Sequence, residues 1–444
     1  MTEKRSQFGS KLGMIAAAAG SAVGLGNIWR FPSETADGGG AIFIIVYLLC
    51  ILLFGVPVMV AEFIVGRSSR ANVAGAFHTL APKTQWKWVG RLGVLTGFVI
   101  LGFYMVVCGW TLDYFLQSIT GSIAHVEDFR ANFSELLHNK VRQIILMVVF
   151  VFLTAYFIYS GVQKGIESSA KIMMPLLFVL LIVMGVRAVT LDGASQGLSF
   201  LFWPDLKEVK STLFIDAMGQ AFFSLSLGMG AMTTYASYFN KNTNLAKTAL
   251  QVSVLDTLVA LLAGTVIFSS AFALTDSPDT IVSDLVAGGP GLLFITIPEL
   301  FNQMPGSAIW SSLFFMLLAI AALTSTISLM EVVTVYLNEE YKMTRRRALQ
   351  YVVSGVLLLG LLSSISTGFF NVLDVMSAKF MLPIGGLFIS LFVGWYLDKK
   401  IIQAELTNEG NIKLGISFLK AYSFILKFLA PVAIAAIFIY GLLG

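Results

Sequence analysis

The stretch GSAVGLGN, residues 20–27, interrupts a long apolar segment near the start of the chain. Three glycines in eight residues are unfavourable for a helix, since glycine costs about 1 kcal/mol relative to alanine at an interior helical position. Lipid offers no hydrogen-bond partner for the backbone groups that such a break exposes. A weak segment at membrane depth is therefore expected to use its exposed amides and carbonyls as ligands.

The composition indicates an all-α polytopic membrane protein. Of the 444 residues, 57% are hydrophobic and 12% are charged, with a mean hydropathy of +0.83. Apolar runs of about 20 residues, the length that spans a bilayer, recur along the whole chain. This pattern excludes a soluble globular domain and lacks the short alternating segments of an outer-membrane barrel.

The apolar runs predict eleven membrane spans. They cover residues 12–35, 41–66, 88–117, 140–159, 167–187, 213–238, 246–273, 308–337, 347–366, 376–397 and 417–442. Lys and Arg concentrate in the N-terminal segment and in the loops after spans two and eight. The positive-inside tendency therefore places the N-terminus in the cytoplasm and the C-terminus outside the cytoplasmic (inner) membrane.

A second weak segment, SLSLGMG at residues 224–230, interrupts span six as GSAVGLGN interrupts span one. Each interruption opens a set of five spans, as in transporters built from inverted repeats that bind ligands near the midplane. Glycines that only let helices pack closely are the alternative for either segment alone. The predicted parts are a cytoplasmic segment 1–11, a first repeat 12–187, a second repeat 213–397 and a final helix 417–442.

Broken helices and buried polar side chains together suit a charged ligand. Freed amides at a helix N-terminus attract a carboxylate, and freed carbonyls suit a hard cation. Asp256, near the middle of span seven, is costly in lipid and indicates function, although a protonated Asp bonded to a neighbouring helix fits the same pattern. Glu62, near the inner end of span two, either caps freed amides or lies at the interface.

Five motifs resemble the neurotransmitter:sodium symporter family, in its bacterial amino-acid branch. They are GSAVGLGNIWRFP (20–32), GGGAIFIIVYLL (38–49), GVPVMVAEFIVGR (55–67), GQAFFSLSLGMGAMTTYASY (219–238) and ALTSTISLME (322–331). They occur in order, and the resemblance covers nearly the whole chain. It implies two five-helix inverted repeats with unwound helices 1 and 6, and sodium-driven symport of an amino acid by alternating access.

The resemblance implies two sodium sites made of oxygen ligands, which suit a hard cation. The first consists of the substrate carboxylate with Ala22, Asn27, Ser224 and Asp256. The second consists of Gly20, Val23, Ala321, Thr324 and Ser325. The hydroxyls of span eight usually bond back to their own helix, which is the alternative for that run taken alone. Sodium ions, two by this resemblance, are the expected cofactors, with no organic cofactor.

The resemblance also implies an amino-acid pocket between the broken helices. The residues assigned to the substrate are Ala22, Leu25, Gly26, Ile100, Tyr104, Phe223, Ser226, Met229, Ser325 and Leu329. Because the side-chain lining is apolar, we expect hydrophobic amino acids as substrates. The flexible thioether of Met229 stands where many relatives have a bulky aromatic ring, so aromatic substrates are admissible.

Gates on both sides of the pocket are implied in the same way. On the outside, Tyr104 and Phe223 would form a lid below a charge pair of Arg30 and Asp374. Such charges near helix ends often only snorkel to the interface. The inner gate would consist of Arg5, Glu339 and Tyr238, with Phe8 in place of the usual tryptophan. Glu62 would support the unwound helices.

The sequence departs from the family at Asp256, where relatives usually carry Asn. One turn further on, relatives carry either a Ser that helps to bind chloride or a Glu whose charge replaces the chloride. This chain has Ala260 there, which can do neither. The hypothesis is chloride-independent transport, with Asp256 ionised when sodium is bound. On the empty return step an unpaired buried carboxylate would take up a proton.

Two other classes of function compete with symport. An intramembrane enzyme is disfavoured because His78, His125 and His138 fall in loops or at their edges and HExxH is absent from the sequence. A non-transporting amino-acid sensor with the same binding site is the alternative. We expect an amino acid and the lipid bilayer as partners, and no nucleic acid. The preferred amino acid, the sodium stoichiometry and the oligomeric state stay open.

Overall fold

The computed structural model describes residues 6–205, 209–275, 281–287 and 291–443, and throughout these ranges the regular structure is helical. Nine continuous helices are long and apolar enough to cross a membrane. Two further spans are interrupted and are numbered with them: α1 (Lys11–Ala22 and Gly26–Asp37) and α6 (Leu213–Ser224 and Ala231–Ala236). The nine continuous helices are α2 (Ala41–Ser69), α3 (Lys87–Ile119), α4 (Lys140–Tyr159), α5 (Val162–Val189), α7 (Leu245–Leu274), α8 (Ser307–Glu340), α9 (Arg345–Ile365), α10 (Thr367–Tyr396) and α11 (Ile416–Gly441). The predicted all-α polytopic fold is confirmed.

The two interrupted spans are the first and the sixth. In α1, the halves Lys11–Ala22 and Gly26–Asp37 meet at an angle of 54°. In α6, the halves Leu213–Ser224 and Ala231–Ala236 are separated by six residues. Ser226, Gly228 and Gly230 there have φ angles of +54°, +84° and +77°. This left-handed conformation ends a helix and favours glycine, which explains the sequence SLSLGMG.

Shorter helices connect the spans. They are Val73–Leu80, Phe129–His138, Ala194–Phe202, Ile281–Ala287, Ile297–Asn302 and Lys399–Thr407, with a 3-10 turn at Ser122–His125. Each lies between two consecutive spans in the chain. Lys399–Thr407 is tied to α2, because Arg67 forms an ion pair with Glu405.

Two span boundaries differ from the prediction by five residues or more. Helix α5 begins at Val162 instead of residue 167, directly after Gly161, whose φ is +85°. Helix α10 begins at Thr367 instead of residue 376, because the Ser366 side chain accepts a hydrogen bond from the Phe369 amide and caps it. The first two turns of α10 contain polar residues, so hydropathy alone placed its beginning too late in the chain.

Packing places the interruptions at the centre of the molecule. The first half of α1 packs against α5, α7 and α8, and the second half of α6 packs against α2. On the periphery, large apolar side chains such as Phe152, Ile172 and Leu358 are more than half exposed. Helices that are apolar on the outside and packed on the inside are expected of a protein that is solvated by lipid.

The φ angle at Gly228 generates a prediction. A Cβ atom there would be strained and would collide with the carbonyl of Leu382. We expect Gly228→Ala to cost about 2 kcal/mol or more and to lower the thermal unfolding temperature of the purified protein. Gly185→Ala, where a Cβ meets no atom within 4 Å, is the matched control. Equal unfolding temperatures of the two variants would contradict the prediction.

Candidate functional site

Three polar side chains from three spans converge beside the break in α1. The Asn27 Nδ2 donates to Asp256 Oδ1 at 2.7 Å and to the Ser224 hydroxyl at 3.1 Å. The Ser224 hydroxyl donates to Asp256 Oδ2 at 2.7 Å. All three side chains are buried. Buried polar groups this close form a compact, oxygen-rich cluster, in which a cation would offset the carboxylate charge.

The break in α1 fixes the orientation of Asn27. Its Oδ1 accepts a hydrogen bond from the amide of Gly24, a residue within the break, at 2.9 Å. Ala22, the last residue of the first half of α1, is also buried and precedes Asn27 by a few residues. The structure therefore places the four residues assigned to the first sodium site where α1, α6 and α7 meet.

A second group of oxygens lies where α1 meets α8. The Ser325 hydroxyl donates to the carbonyls of Val23 at 3.0 Å and Ala321 at 3.2 Å. The Thr324 hydroxyl donates to Ala321 at 2.9 Å and to Val23 at 3.4 Å. A Cβ on Gly20 would be 3.2 Å from Thr324. Two carbonyls and two hydroxyls in mutual contact form an all-oxygen donor set, which is the kind that hard cations prefer.

One cavity of about 300 Å³ opens beside these two groups. Every residue that the sequence assigned to the substrate lines it, from Ala22 at the α1 break to Leu329 of α8. The Leu25 amide donates to the Tyr104 hydroxyl at 3.2 Å. A Cβ on Gly26 would be 2.8 Å from the Phe223 ring, so glycine is required for the close approach. The volume lies at the lower end of the range for ligand pockets, about 300–1,000 Å³.

Glu62 supports the unwound part of α6. It is fully buried, and its carboxylate accepts hydrogen bonds from the Gly228 amide at 2.8 Å, the Thr233 amide at 3.2 Å and the Thr233 hydroxyl at 3.0 Å. The sequence left two interpretations of Glu62, a cap of freed amides or a residue at the interface, and these contacts fit the cap. The Ser226 hydroxyl, assigned to the substrate, donates to the Ser21 carbonyl at 2.9 Å and so joins α6 to α1.

Charged residues from α1 and α10 line part of the cavity. Arg30 and Asp374 both line it, but the ion pair that Arg30 forms is with Glu34, at 3.2 Å. The Arg30 guanidinium also lies 4.7 Å from the centre of the Phe223 ring. The assigned lid residue Phe223 is thus in contact with Arg30.

The N-terminal segment packs against residues at the end of α6. The Phe8 ring is buried edge-on against Tyr235 and Tyr238, with ring centroids 6.0 Å apart in each pair. Among the assigned inner-gate residues, Arg5 lies outside the described residues. Glu339 accepts hydrogen bonds from the amide and side chain of Asn72, at 2.7 and 3.1 Å.

Sequence reasoning missed four residues around the site, namely Glu331, Arg345, Gln220 and Lys379. The Tyr238 hydroxyl donates to Glu331 Oε1 at 2.8 Å, and Arg345 donates to both oxygens of Glu331 at 3.1 and 2.6 Å. Gln220 donates to the Gly26 carbonyl at 3.3 Å. Lys379 lines the cavity as well. The acid Glu331 within span eight was the one signal that could have indicated such a cluster, since a buried acid needs a partner.

The chain matches a family model described as the sodium:neurotransmitter symporter family over residues 5–135 and 125–444. It is 35% identical to YhdH of Bacillus subtilis, an uncharacterized sodium-dependent transporter, over 98% of both chains. It is 32% identical to an uncharacterized sodium-dependent transporter of Haemophilus influenzae, over 99% of both chains.

A solved structure has the same architecture. The crystal structure of MhsT in complex with L-phenylalanine superposes with a TM-score of 0.88 and is 40% identical in sequence. The match covers 99% of this chain and all of that one. Together with the family model, this likeness extends over both interrupted spans.

The contacts of Glu62 generate a prediction. Glu62→Gln replaces one acceptor oxygen by an amide donor that faces backbone donors, so a buried amide loses its partner at a cost of about 1–3 kcal/mol. We expect a lower unfolding temperature and weaker ligand binding at the site, measured on the purified protein. The control is Glu299→Gln, at an exposed position. A Glu62→Gln protein as stable as this control would show that the carboxylate does not hold the unwound segment.

Proposed function

Because this chain belongs to the sodium:neurotransmitter symporter family, we propose that it carries hydrophobic L-amino acids, aromatic ones included, into the cell together with sodium. The family is one of membrane transporters and not of enzymes, and its bacterial members in the comparison are named sodium-dependent. The proposal rests on one observation: the unwound backbone of α1, the Asp256 carboxylate and the apolar cavity lie beside one another.

The amino-acid substrate is proposed from the chemistry of the cavity. The freed amides of Leu25 and Gly26 suit a carboxylate at a helix N-terminus. The carbonyls of Ala22 and Phe223 suit an ammonium group. Around the proposed side-chain position the lining is apolar, and Met229 adapts to ring shapes. The printed title of the MhsT structure, with L-phenylalanine bound, supports an aromatic substrate.

Two sodium ions are proposed to accompany each substrate. The first would lie among Asn27, Ser224 and Asp256 and would also contact the substrate carboxylate. A shared contact of this kind couples the two affinities, since each ligand then raises the affinity for the other by the same factor. The second would occupy the oxygens of Val23 and Ser325 at the α1–α8 contact.

We propose that the transport cycle is independent of chloride. The carboxylate of Asp256 lies in the first proposed ion site and supplies negative charge there. One turn further along α7, Ala260 is fully buried and has no polar atom to offer an anion. After sodium leaves, Asp256 would carry a proton on the return step.

Alternating access would expose the pocket to each side in turn. The N-terminal segment, packed through Phe8, would open on the cytoplasmic side, and Arg30 with Asp374 would close the outer side. The clustered Lys and Arg residues support a cytoplasmic N-terminus in the inner membrane. The first repeat, residues 12–187, and the second repeat, residues 213–397, would move relative to each other.

Transport by the purified protein in proteoliposomes tests the function. We expect an inward sodium gradient to drive accumulation of labelled phenylalanine and a potassium gradient to drive none. Competition by the twenty amino acids should be strongest for Trp, Tyr, Phe, Leu and Ile, because the pocket is apolar. Counterflow distinguishes transport from sensing, since a sensor binds substrate without exchanging it. Binding without counterflow would refute symport.

Chloride dependence generates a separate prediction. Replacement of chloride by gluconate should leave the initial rate of uptake unchanged, because Asp256 provides the compensating charge. An initial rate reduced several-fold by gluconate would overturn the assignment of that charge.

Asp256 itself is tested by substitution with Asn. A contact with a charged group contributes about 1.5–3 kcal/mol, so Asp256→Asn should raise the sodium concentration for half-maximal uptake about tenfold or more. The control is Ser269→Ala, in the same helix, where a buried hydroxyl has no hydrogen-bond partner within the described ranges. An unchanged sodium dependence in Asp256→Asn would show that the charge of this carboxylate does not contribute to sodium binding.

A further inference from the structure

A second cavity lies at the membrane boundary on the side of the Lys- and Arg-rich loops. Its volume is about 410 Å³, and it is enclosed by the end of α10, the short helix Lys399–Thr407 and the beginning of α11. The ion pair of Arg67 with Glu405 holds the short helix against α2 on this side. The cavity is separate from the proposed substrate pocket and shares no lining residue with it.

Three lysines give this cavity a positive charge. Lys399 comes from the short helix, and Lys420 and Lys427 lie seven residues apart on one face of α11, with Ser423 between them. The described residues that line the cavity include no acidic side chain. The Lys427 ammonium lies 5.2 Å from the centre of the Trp395 ring. Three neighbouring cations without a lining acid repel one another, and an anion would relieve that repulsion.

The neighbouring acids are engaged elsewhere. Asp398, adjacent to Lys399 in the chain, caps the short helix by accepting from the Lys400 amide at 2.9 Å. Glu405, on the same short helix, pairs with Arg67. The two acids at the short helix therefore have other partners.

An unpartnered polar group borders the same cavity. Tyr422 lines it and is 6% exposed, and within the described ranges its hydroxyl has no hydrogen-bond partner. A buried hydroxyl without a partner is unfavourable unless a bound group or water satisfies it. Gln403 adds a second neutral hydrogen-bonding side chain to the lining.

The surroundings of the cavity are apolar and aromatic. Trp395, Ile416, Phe424 and Phe428 are 58%, 72%, 54% and 46% exposed. Aromatic side chains at this level mark the boundary between headgroups and acyl chains. A soluble anion would use the lysines but leave these apolar surfaces without a function, whereas a lipid would use both.

We propose that this cavity binds the headgroup of an anionic phospholipid from the adjacent leaflet. The phosphodiester lies among Lys399, Lys420 and Lys427, and the acyl chains lie along Phe424 and Phe428. Basic pockets between spans on the cytoplasmic side are suited to such headgroups. The site ties α10 and α11 to the short helix through the lipid. This inference does not depend on which amino acid is transported.

The test measures phosphatidylglycerol binding to the purified, full-length protein by native mass spectrometry. The triple variant Lys399→Gln, Lys420→Gln, Lys427→Gln should lower the fraction with bound lipid about tenfold or more, as each lysine contributes separately. Phosphatidylcholine and glycerol phosphate serve as the neutral-lipid and soluble-anion arms. We expect both to bind the unaltered protein much more weakly than phosphatidylglycerol.

The matched control removes three exposed cations elsewhere on the same side, through Lys164→Gln, Arg346→Gln and Arg347→Gln. It should retain phosphatidylglycerol, as should a variant with arginine at all three cavity positions. Sodium-dependent amino-acid binding reports that each variant is folded.

Four outcomes, the last of them with the arginine variant, would overturn the inference. If the control variant loses as much phosphatidylglycerol as the glutamine variant, the lipid is attracted to the basic surface in general. If phosphatidylcholine binds as well as phosphatidylglycerol, the lysine charges do not select the lipid. Equal binding of glycerol phosphate would assign the cavity to a soluble anion. If the glutamine variant fails to fold, the test moves to the arginine variant, whose loss of phosphatidylglycerol binding would also refute the site.

Discussion

Main-chain hydrogen bonding inside the membrane is the constraint on which the rest of this structure depends. Each interrupted span releases amides and carbonyls where lipid cannot bind them. Protein groups bind some of these, as when Glu62 accepts from the Gly228 amide and Tyr104 accepts from the Leu25 amide. The Val23 carbonyl accepts only from hydroxyls of α8 among the contacts described. Such hydroxyls can turn their oxygens to an ion, so the break creates a site that an intact helix would hide.

The same residues bring the proposed ligands within reach of one another. Ser325 lines the cavity and also bonds to Val23, so the proposed second ion would lie against the substrate pocket. Ser224 likewise lines the cavity while it bonds to Asp256. Occupancy of either ion site would therefore change the walls of the pocket. In a symporter this arrangement converts a sodium gradient into accumulation, because binding energies are shared between sites.

The sequence was sufficient for features that have local signatures. The glycines of both interruptions and the isolated Asp256 are visible in the chain, and the structure brings Asp256 to Asn27 and Ser224. Pairings between distant segments were not predictable, because their partners are separated by many residues and have no common pattern. The contact of Gln220 with the Gly26 carbonyl, and that of Ser226 with the Ser21 carbonyl, are of this kind. The early beginning of α10 was concealed by polar residues in its first turns.

Reciprocal binding to the purified protein tests the central claim most directly. Labelled phenylalanine and labelled sodium are each titrated in the presence and absence of the other, with potassium as the replacement cation. The account predicts that sodium raises phenylalanine affinity and that phenylalanine raises sodium affinity by the same factor. Phenylalanine binding of equal strength in sodium and in potassium would contradict it.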